Sequence, residues 1–258
     1  MTSWDRKAGP WLTRFTSPSA GDERIQLVCL PHSGGSSTFF APLAREMPGS
    51  VEVLAVQYPG RQERRAEPFI DDMDELVARI TDALGHAGDR PLALLGHSMG
   101  GLVAWEVARA LQARGARLAG LVVSGRGAPT VHNIHNGVKL YELSDDQLVA
   151  QLRELSGTSA SILADDGMIR MLLPALRNDY RVVDSYRHRP GPPLTCPIGV
   201  FLGTSDPWAR EEYARGWREE STGRVEFRSF PGGHFYLSSQ WRKVAEAVAE
   251  TLVGVAAD

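Results

Sequence analysis

Apolar and polar positions change rhythm along this chain, and the changes mark its elements. Short apolar runs of strand length fall at residues 25–30, 51–58, 92–97, 118–124, 198–202 and 225–230. Between the early runs, apolar residues recur at helical spacing. Phe39, Phe40, Leu43 and Met47 do so over 38–47, and Met73, Leu76, Val77, Ile80 and Leu84 over 71–87. A third helical pattern, Leu102, Val103, Trp105, Val107, Ala108 and Leu111, follows the run at 92–97 directly. Strand and helix alternate four times in this half, which predicts an α/β fold with a mostly parallel sheet and helices on both faces. Residues 1–24 read as an irregular lead-in with a short edge strand near 12–16.

The rhythm breaks over residues 130–189, where no strand pattern is found. Ser144-Asp145-Asp146-Gln147 is a capping box in front of Leu148, Leu152 and Leu155. A second helical stretch spans 165–186 and contains Pro174. About 60 residues of this kind inside a parallel sheet are too structured for a loop and predict a helical lid. The sheet then resumes, with a helix expected over 206–220 and a last amphipathic helix over 240–253. The organisation expected is an α/β core in two parts, 1–129 and 190–258, with the insertion 130–189 between them.

Composition excludes several function classes. The net charge of −3 over 258 residues leaves no nucleic-acid or anionic-membrane footprint. No apolar stretch approaches bilayer length, and residues 1–11 lack the apolar core of a signal peptide. Cys29 and Cys196, the only cysteines, lie in or beside apolar runs and read as buried thiols. A cytoplasmic protein is expected.

The run at 92–97 ends in Gly96-His97-Ser98-Met99-Gly100-Gly101. With glycine at 26 of 258 positions, a Gly-x-Ser-x-Gly spacing arises by chance roughly 0.2 times per chain, so the spacing alone is weak. Its place between a strand and a helix is what makes it a nucleophile elbow, the turn that lifts a serine above a sheet. A serine nucleophile needs a base, and the base needs a carboxylate to fix its tautomer. In such sheets functional groups gather at the carboxyl ends of strands. Of seven histidines, His234 in Pro231-Gly232-Gly233-His234-Phe235 follows the last strand and is the expected base. His132 and His135 have metal-ligand spacing but no third ligand nearby, and read as solvated. No metal site is expected. Asp206 follows the run at 198–202 and is the expected acid, with a helix cap as its second role. The order Ser98, Asp206, His234 suits the fold. The oxyanion donors expected are the backbone N–H groups of Met99 and of Ser33, in Pro31-His32-Ser33-Gly34-Gly35.

The same residues carry a family resemblance. Leu30-Pro31-His32-Ser33-Gly34-Gly35, Gln57-Tyr58-Pro59-Gly60-Arg61, the elbow, Leu173-Pro174-Ala175-Leu176-Arg177, Gly203-Thr204-Ser205-Asp206 and Pro231–Phe235 together resemble type II thioesterases of the α/β-hydrolase superfamily. These are the free-standing enzymes that accompany polyketide and nonribosomal peptide synthases. The resemblance implies hydrolysis of acyl groups from the phosphopantetheine thiol of acyl or peptidyl carrier proteins, by a monomer that needs no cofactor. Thioesterases fused to a synthase place the acid after the preceding strand, where this chain has Ser124-Gly125, and the short lead-in agrees with a stand-alone protein. Arg61, Arg64 and Arg65 form a basic loop that would meet an acidic carrier or simply be solvated. Leu148, Leu152, Leu155, Met168, Met171 and Leu172 would line an acyl chamber under the lid. The alternatives are a carboxylesterase or lipase with the same triad, and a catalytically silent binding protein of the same fold.

Overall fold

The six apolar runs form β2 (Ile25–Leu30), β3 (Val51–Val56), β4 (Leu92–His97), β5 (Leu118–Ser124), β6 (Ile198–Gly203) and β7 (Val225–Phe230) in a computed structural model. The structure describes residues 9–16, 25–85, 90–131, 137–155 and 165–253. His86, His132 and His135 lie outside them. The edge strand expected near the start is β1 (Leu12–Arg14), which pairs antiparallel with β3. All other neighbours are parallel, in the order β1-β3-β2-β4-β5-β6-β7. Sequence order doubles back between β3 and β4, so the carboxyl ends of β2, β4, β5, β6 and β7 open on one rim.

Successive residues of a strand face opposite sides of a sheet, and this splits the core into two layers. Val28, Leu54, Leu94, Leu121 and Val200 pack with α2 (Met73–Leu84) and α3 (Met99–Ala113) on one face. Leu27, Val53, Leu95, Val122 and Phe201 pack on the other face with α1 (Ala41–Glu46) and α7 (Trp241–Val253). With both faces covered, the central strands are buried along nearly their whole length. The chain has the α/β-hydrolase fold. Cys29 and Cys196 are free and buried in it.

Between β5 and β6, the described residues hold α4 (Asp145–Leu155) and α5 (Asp166–Ser185). The capping box forms as read from sequence: Ser144 N–H donates to Gln147 Oε1 at 2.9 Å, and Gln147 N–H to Ser144 Oγ at 3.3 Å. Leu148, Leu152, Ile169, Leu173, Leu176 and Tyr180 bury one another as a third small core. Arg177 joins the two helices, donating to Tyr141 O at 2.7 Å and to Asp145 Oδ1 at 2.6 Å.

Two expected helices come out differently. The stretch 38–47 is a 3-10 turn, Ser37–Phe40, followed by α1. Pro42, near the start of α1, has no N–H to continue a ladder from the preceding turn. The stretch 206–220 is an irregular turn and then a single short helix, α6 (Glu211–Ala214), with a 3-10 turn after it. Asp206 is therefore not the cap of a long helix.

Candidate active site

Ser98 sits between β4 and α3 at φ 56° and ψ −117°, a conformation that non-glycine residues rarely hold. The turn is tight enough to dictate its neighbours. A Cβ on Gly96 would lie 1.9 Å from the Gly100 carbonyl oxygen, and one on Gly100 would lie 2.0 Å from the Leu30 carbonyl oxygen. Those two glycines let β2, β4 and α3 close around the serine.

The structure brings Ser98, His234 and Asp206 together. Ser98 Oγ lies 2.9 Å from His234 Nε2, and His234 Nδ1 lies 2.8 Å from Asp206 Oδ2. A carboxylate only accepts, so Nδ1 carries the proton, and Nε2 is left to accept from the serine hydroxyl. Both His234 and Asp206 are buried, 2% and 4% exposed, while Ser98 is partly open. The second carboxylate oxygen of Asp206 accepts the Trp208 N–H at 2.9 Å. The loops after β6 and β7 are also tied to each other, by Thr204 N–H to Phe230 O at 2.9 Å and Ser205 N–H to Gly232 O at 2.8 Å. These bonds hold the acid and the base in register.

Two spaces adjoin Ser98. A recess of about 20 Å³ is lined by Ser33 and Met99, the two expected oxyanion donors, together with Arg126, Tyr180, Trp208 and His234. A larger cavity of about 280 Å³ runs past His32 and Phe235 to Leu152, Leu155, Leu172 and Leu176 of the insertion. Leu148 belongs to the small core beneath. Met168 and Met171 do not reach the cavity: they are 42% and 78% exposed, on the outer side of α5. The helical pattern identifies an apolar stripe, but these two residues lie in the first turns of α5 on a face that the described residues leave exposed.

The loop bearing Ser33 is clamped by the Gln57–Arg61 stretch. Ser37 N–H donates to Gln57 Oε1 at 2.9 Å, and Tyr58 Oη–H to Pro31 O at 3.2 Å. Gly34 N–H donates to Asp179 Oδ2 of α5 at 2.7 Å, and Arg61 donates to the same oxygen. Arg61 and Arg64 are 8% and 4% exposed. Arg64 stacks over Trp11 with its Cζ 4.2 Å from the ring centroid and forms an ion pair with Glu67. Only Arg65 of the basic loop is exposed, so Arg61 and Arg64 are internal braces and not a docking surface. Asp179 and Gln57 were not singled out as site residues by sequence. Gln57 lies in the motif Gln57-Tyr58-Pro59-Gly60-Arg61, whereas Asp179 falls two residues past Leu173-Pro174-Ala175-Leu176-Arg177, and no local pattern reports their convergence.

Behind His234 lie two more imidazoles. His97 stacks on Phe39 and meets Phe235 edge-on, its ring 5.1 Å from that of His234. Its Nδ1 is 3.0 Å from Ser124 Oγ, which in turn is 2.6 Å from Tyr236 Oη. Burial, then the charge of a protonated His234, holds His97 well below the ordinary imidazole value. The same causes, with Arg61, push His32 down to about 3. Both are neutral rings packed around the base. Among the described residues no group of three or more metal-ligating side chains occurs, and no helix is long and apolar enough to cross a membrane.

An elbow serine bonded to a histidine on the rim of a parallel sheet is the arrangement of an α/β-hydrolase. A family model for the thioesterase domain matches residues 25–252. Thioesterase PikA5 of Streptomyces venezuelae is 41% identical over 250 residues, spanning 95% of this chain and 86% of that protein. The solved structure of the type II thioesterase BorB from the borrelidin biosynthetic cluster superposes with a TM-score of 0.86 at 42% identity, covering 95% of this chain and 98% of that one. YbtT, a type II thioesterase from the Yersiniabactin NRPS/PKS pathway, superposes with a TM-score of 0.83 at 28% identity, covering 95% and 99%. The chain belongs to the thioesterase family and is a hydrolase of that class.

Proposed function

We propose that this protein is a type II thioesterase that releases acyl groups from the phosphopantetheine thiol of carrier proteins in polyketide or nonribosomal peptide synthesis. The observation that carries the reading is the hydrogen-bonded line Ser98–His234–Asp206 in a chain of the thioesterase family. Similarity along nearly the whole chain to type II thioesterases, one of them from an NRPS/PKS pathway, supports the reading.

His234 Nε2 takes the hydroxyl proton as Ser98 Oγ attacks the thioester carbonyl carbon. Charge develops on the carbonyl oxygen, and the N–H groups of Met99 and Ser33 receive it. Asp206 stabilises the imidazolium that forms. The carbon–sulfur bond breaks, the thiol leaves with the proton from His234, and an acyl-enzyme remains on Ser98. Water then enters, gives its proton to His234 and attacks the ester carbonyl; collapse returns the proton to Ser98 and frees the acid. Apart from that water, each step uses protein groups. The leucines of α4 and α5 take the acyl chain, and those helices serve as the lid.

The test is a panel of acylated carrier proteins and matched oxygen esters, with release followed by mass spectrometry. Faster turnover of the carrier-bound thioesters supports the reading. A preference for oxygen esters makes the protein a carboxylesterase, and no turnover of either makes it a binding protein.

A further inference from the structure

Ser98 and His234 come from strands that are not neighbours. Ser98 follows β4 and His234 follows β7, three places along the sheet, so about 14 Å of sheet separates the strands that carry them. The loop after β7 therefore has to reach back over the ends of β6 and β5 before Nε2 can lie 2.9 Å from Ser98 Oγ. At the end of β6 the hold on that loop is made by backbone bonds, from Thr204 N–H to Phe230 O and from Ser205 N–H to Gly232 O. At the end of β5 it is made by side chains, and they meet at Ser124.

Ser124 is the last residue of β5. Its carbonyl accepts the Ser98 N–H at 2.8 Å. Its Oγ lies 3.0 Å from Nδ1 of His97, the residue before the nucleophile, and 2.6 Å from Oη of Tyr236, two residues after the base. One residue thus reaches both partners of the Ser98–His234 bond. Tyr236 is fixed in turn by stacking on Phe230, with centroids 5.1 Å and planes 9° apart. The His97 ring packs 5.1 Å from that of His234, and Gly125 leaves room for both: a Cβ there would lie 2.7 Å from the first ring and 3.4 Å from the second.

His97, Ser124 and Tyr236 are each at most 2% exposed. Buried hydroxyls are costly unless bonded, and apolar side chains would fill the same space without that cost. Bonded to each other, buried polar groups fix one geometry. Neither Ser124 nor Tyr236 lines the two spaces beside Ser98, so neither meets the acyl group. We propose that Ser124 and Tyr236 are positioning residues for acyl transfer: the bond between their hydroxyls holds the loop after β7 over the end of β5, where His234 Nε2 meets the nucleophile. The inference rests on Ser98 and His234 as nucleophile and base, and adds the parts that set the distance between them. A slackened tie changes the rate at which Ser98 reacts and leaves substrate binding as it was.

The experiment uses Tyr236→Phe, which removes one hydroxyl and keeps the stack on Phe230, together with Ser124→Ala and the double variant. Two readouts are taken: the rate constant for labelling of Ser98 by a fluorophosphonate, which reports activation of the serine without any thioester, and kcat and KM for acetyl-pantetheine. Tyr236→Phe is expected to lower labelling and kcat about tenfold with KM within about twofold of wild type, the pattern of a base held slightly out of place. Ser124→Ala is expected to lose at least as much, because it also frees His97 Nδ1. The double variant is expected to be no slower than Ser124→Ala, since the tie is already gone. Unchanged labelling in Tyr236→Phe with a lower unfolding midpoint would make the bond a matter of stability alone and overturn the proposal. A change confined to KM, or losses that multiply in the double variant, would overturn it too. If the wild type turns over no thioester while labelling still slows in the variants, the tie stands and the thioesterase reading falls.

Discussion

Arg61 and Asp179, 118 positions apart in the sequence, share a buried ion pair in which Asp179 Oδ2 also accepts the Gly34 N–H. The next peptide back carries Ser33, the expected second oxyanion donor. The carboxylate thus aims the loop, and Arg61 keeps its negative charge from opposing the charge that develops on the substrate. Arg61→Met is expected to lower kcat by about 10–10²-fold, as loss of an aligned donor or an uncompensated buried charge would. The double variant Arg61→Met/Asp179→Asn, which removes the orphaned charge, is expected to recover part of that loss while KM stays close to that of the single variant. Losses that simply add would show that the pair serves stability alone, and thermal unfolding of the same three proteins provides the control.

How much of this was legible in the sequence depends on distance along the chain. Ser98, Asp206 and His234 each follow a strand-like run, so a local rule locates all three at the same rim of the sheet. The capping box at Ser144 is likewise local. Arg61 was read as part of a basic loop because a charge run on its own looks solvated; its partner lies on α5, and no local pattern connects the two. Met171 reads as a chamber residue because periodicity reports an apolar stripe and not which of its positions face the cavity. The helix expected after Asp206 failed for a related reason. The carboxylate that would cap it is committed to His234 on one oxygen and to the Trp208 N–H on the other.

The chamber assignment has a direct consequence for acyl length. Leu172 lines the cavity, whereas Met171, its neighbour in sequence, is 78% exposed. Leu172→Trp is expected to shift preference toward short acyl groups, and Met171→Trp to leave the length profile as in the wild type. A panel of C2 to C10 acyl-pantetheine substrates measures both. Equal slowing of all lengths in Leu172→Trp would place that residue in the packing of the insertion and not along the acyl path.

The two buried neutral histidines link stability to pH. His97 and His32 are held below the ordinary imidazole value in the folded protein, so the unfolded chain takes up protons below about pH 6.5 that the folded one refuses. Their contribution is intact above that value, and stability is lost progressively as pH falls from it toward the folded values. Urea unfolding between pH 7.5 and 5.5 is expected to show a shallower loss in His97→Asn than in the wild type, by up to about one proton. Parallel slopes would mean that His97 is charged in the folded state.

The end of β5 bears on where the acid can sit. Ser124 Oγ is committed to His97 and Tyr236, and Gly125 has φ +60°, with a Cβ there only 2.7 Å from the His97 ring. Asp206→Asn is expected to fold normally and to lose on the order of 10³–10⁴ in turnover, because the amide no longer fixes the imidazole tautomer. Gly125→Asp in that background is expected to restore nothing. Steady-state kinetics on purified variants, with circular dichroism as the folding control, decides between these outcomes.

In the proposed reaction a thioester passes its acyl group to Ser98. The most direct measurement is peptide mapping by mass spectrometry after rapid quench of the protein with an acyl-phosphopantetheinyl carrier. The acyl mass is expected on the peptide containing Ser98, with neither adduct nor turnover in Ser98→Ala. Acylation at another residue, or hydrolysis that survives Ser98→Ala, would contradict it.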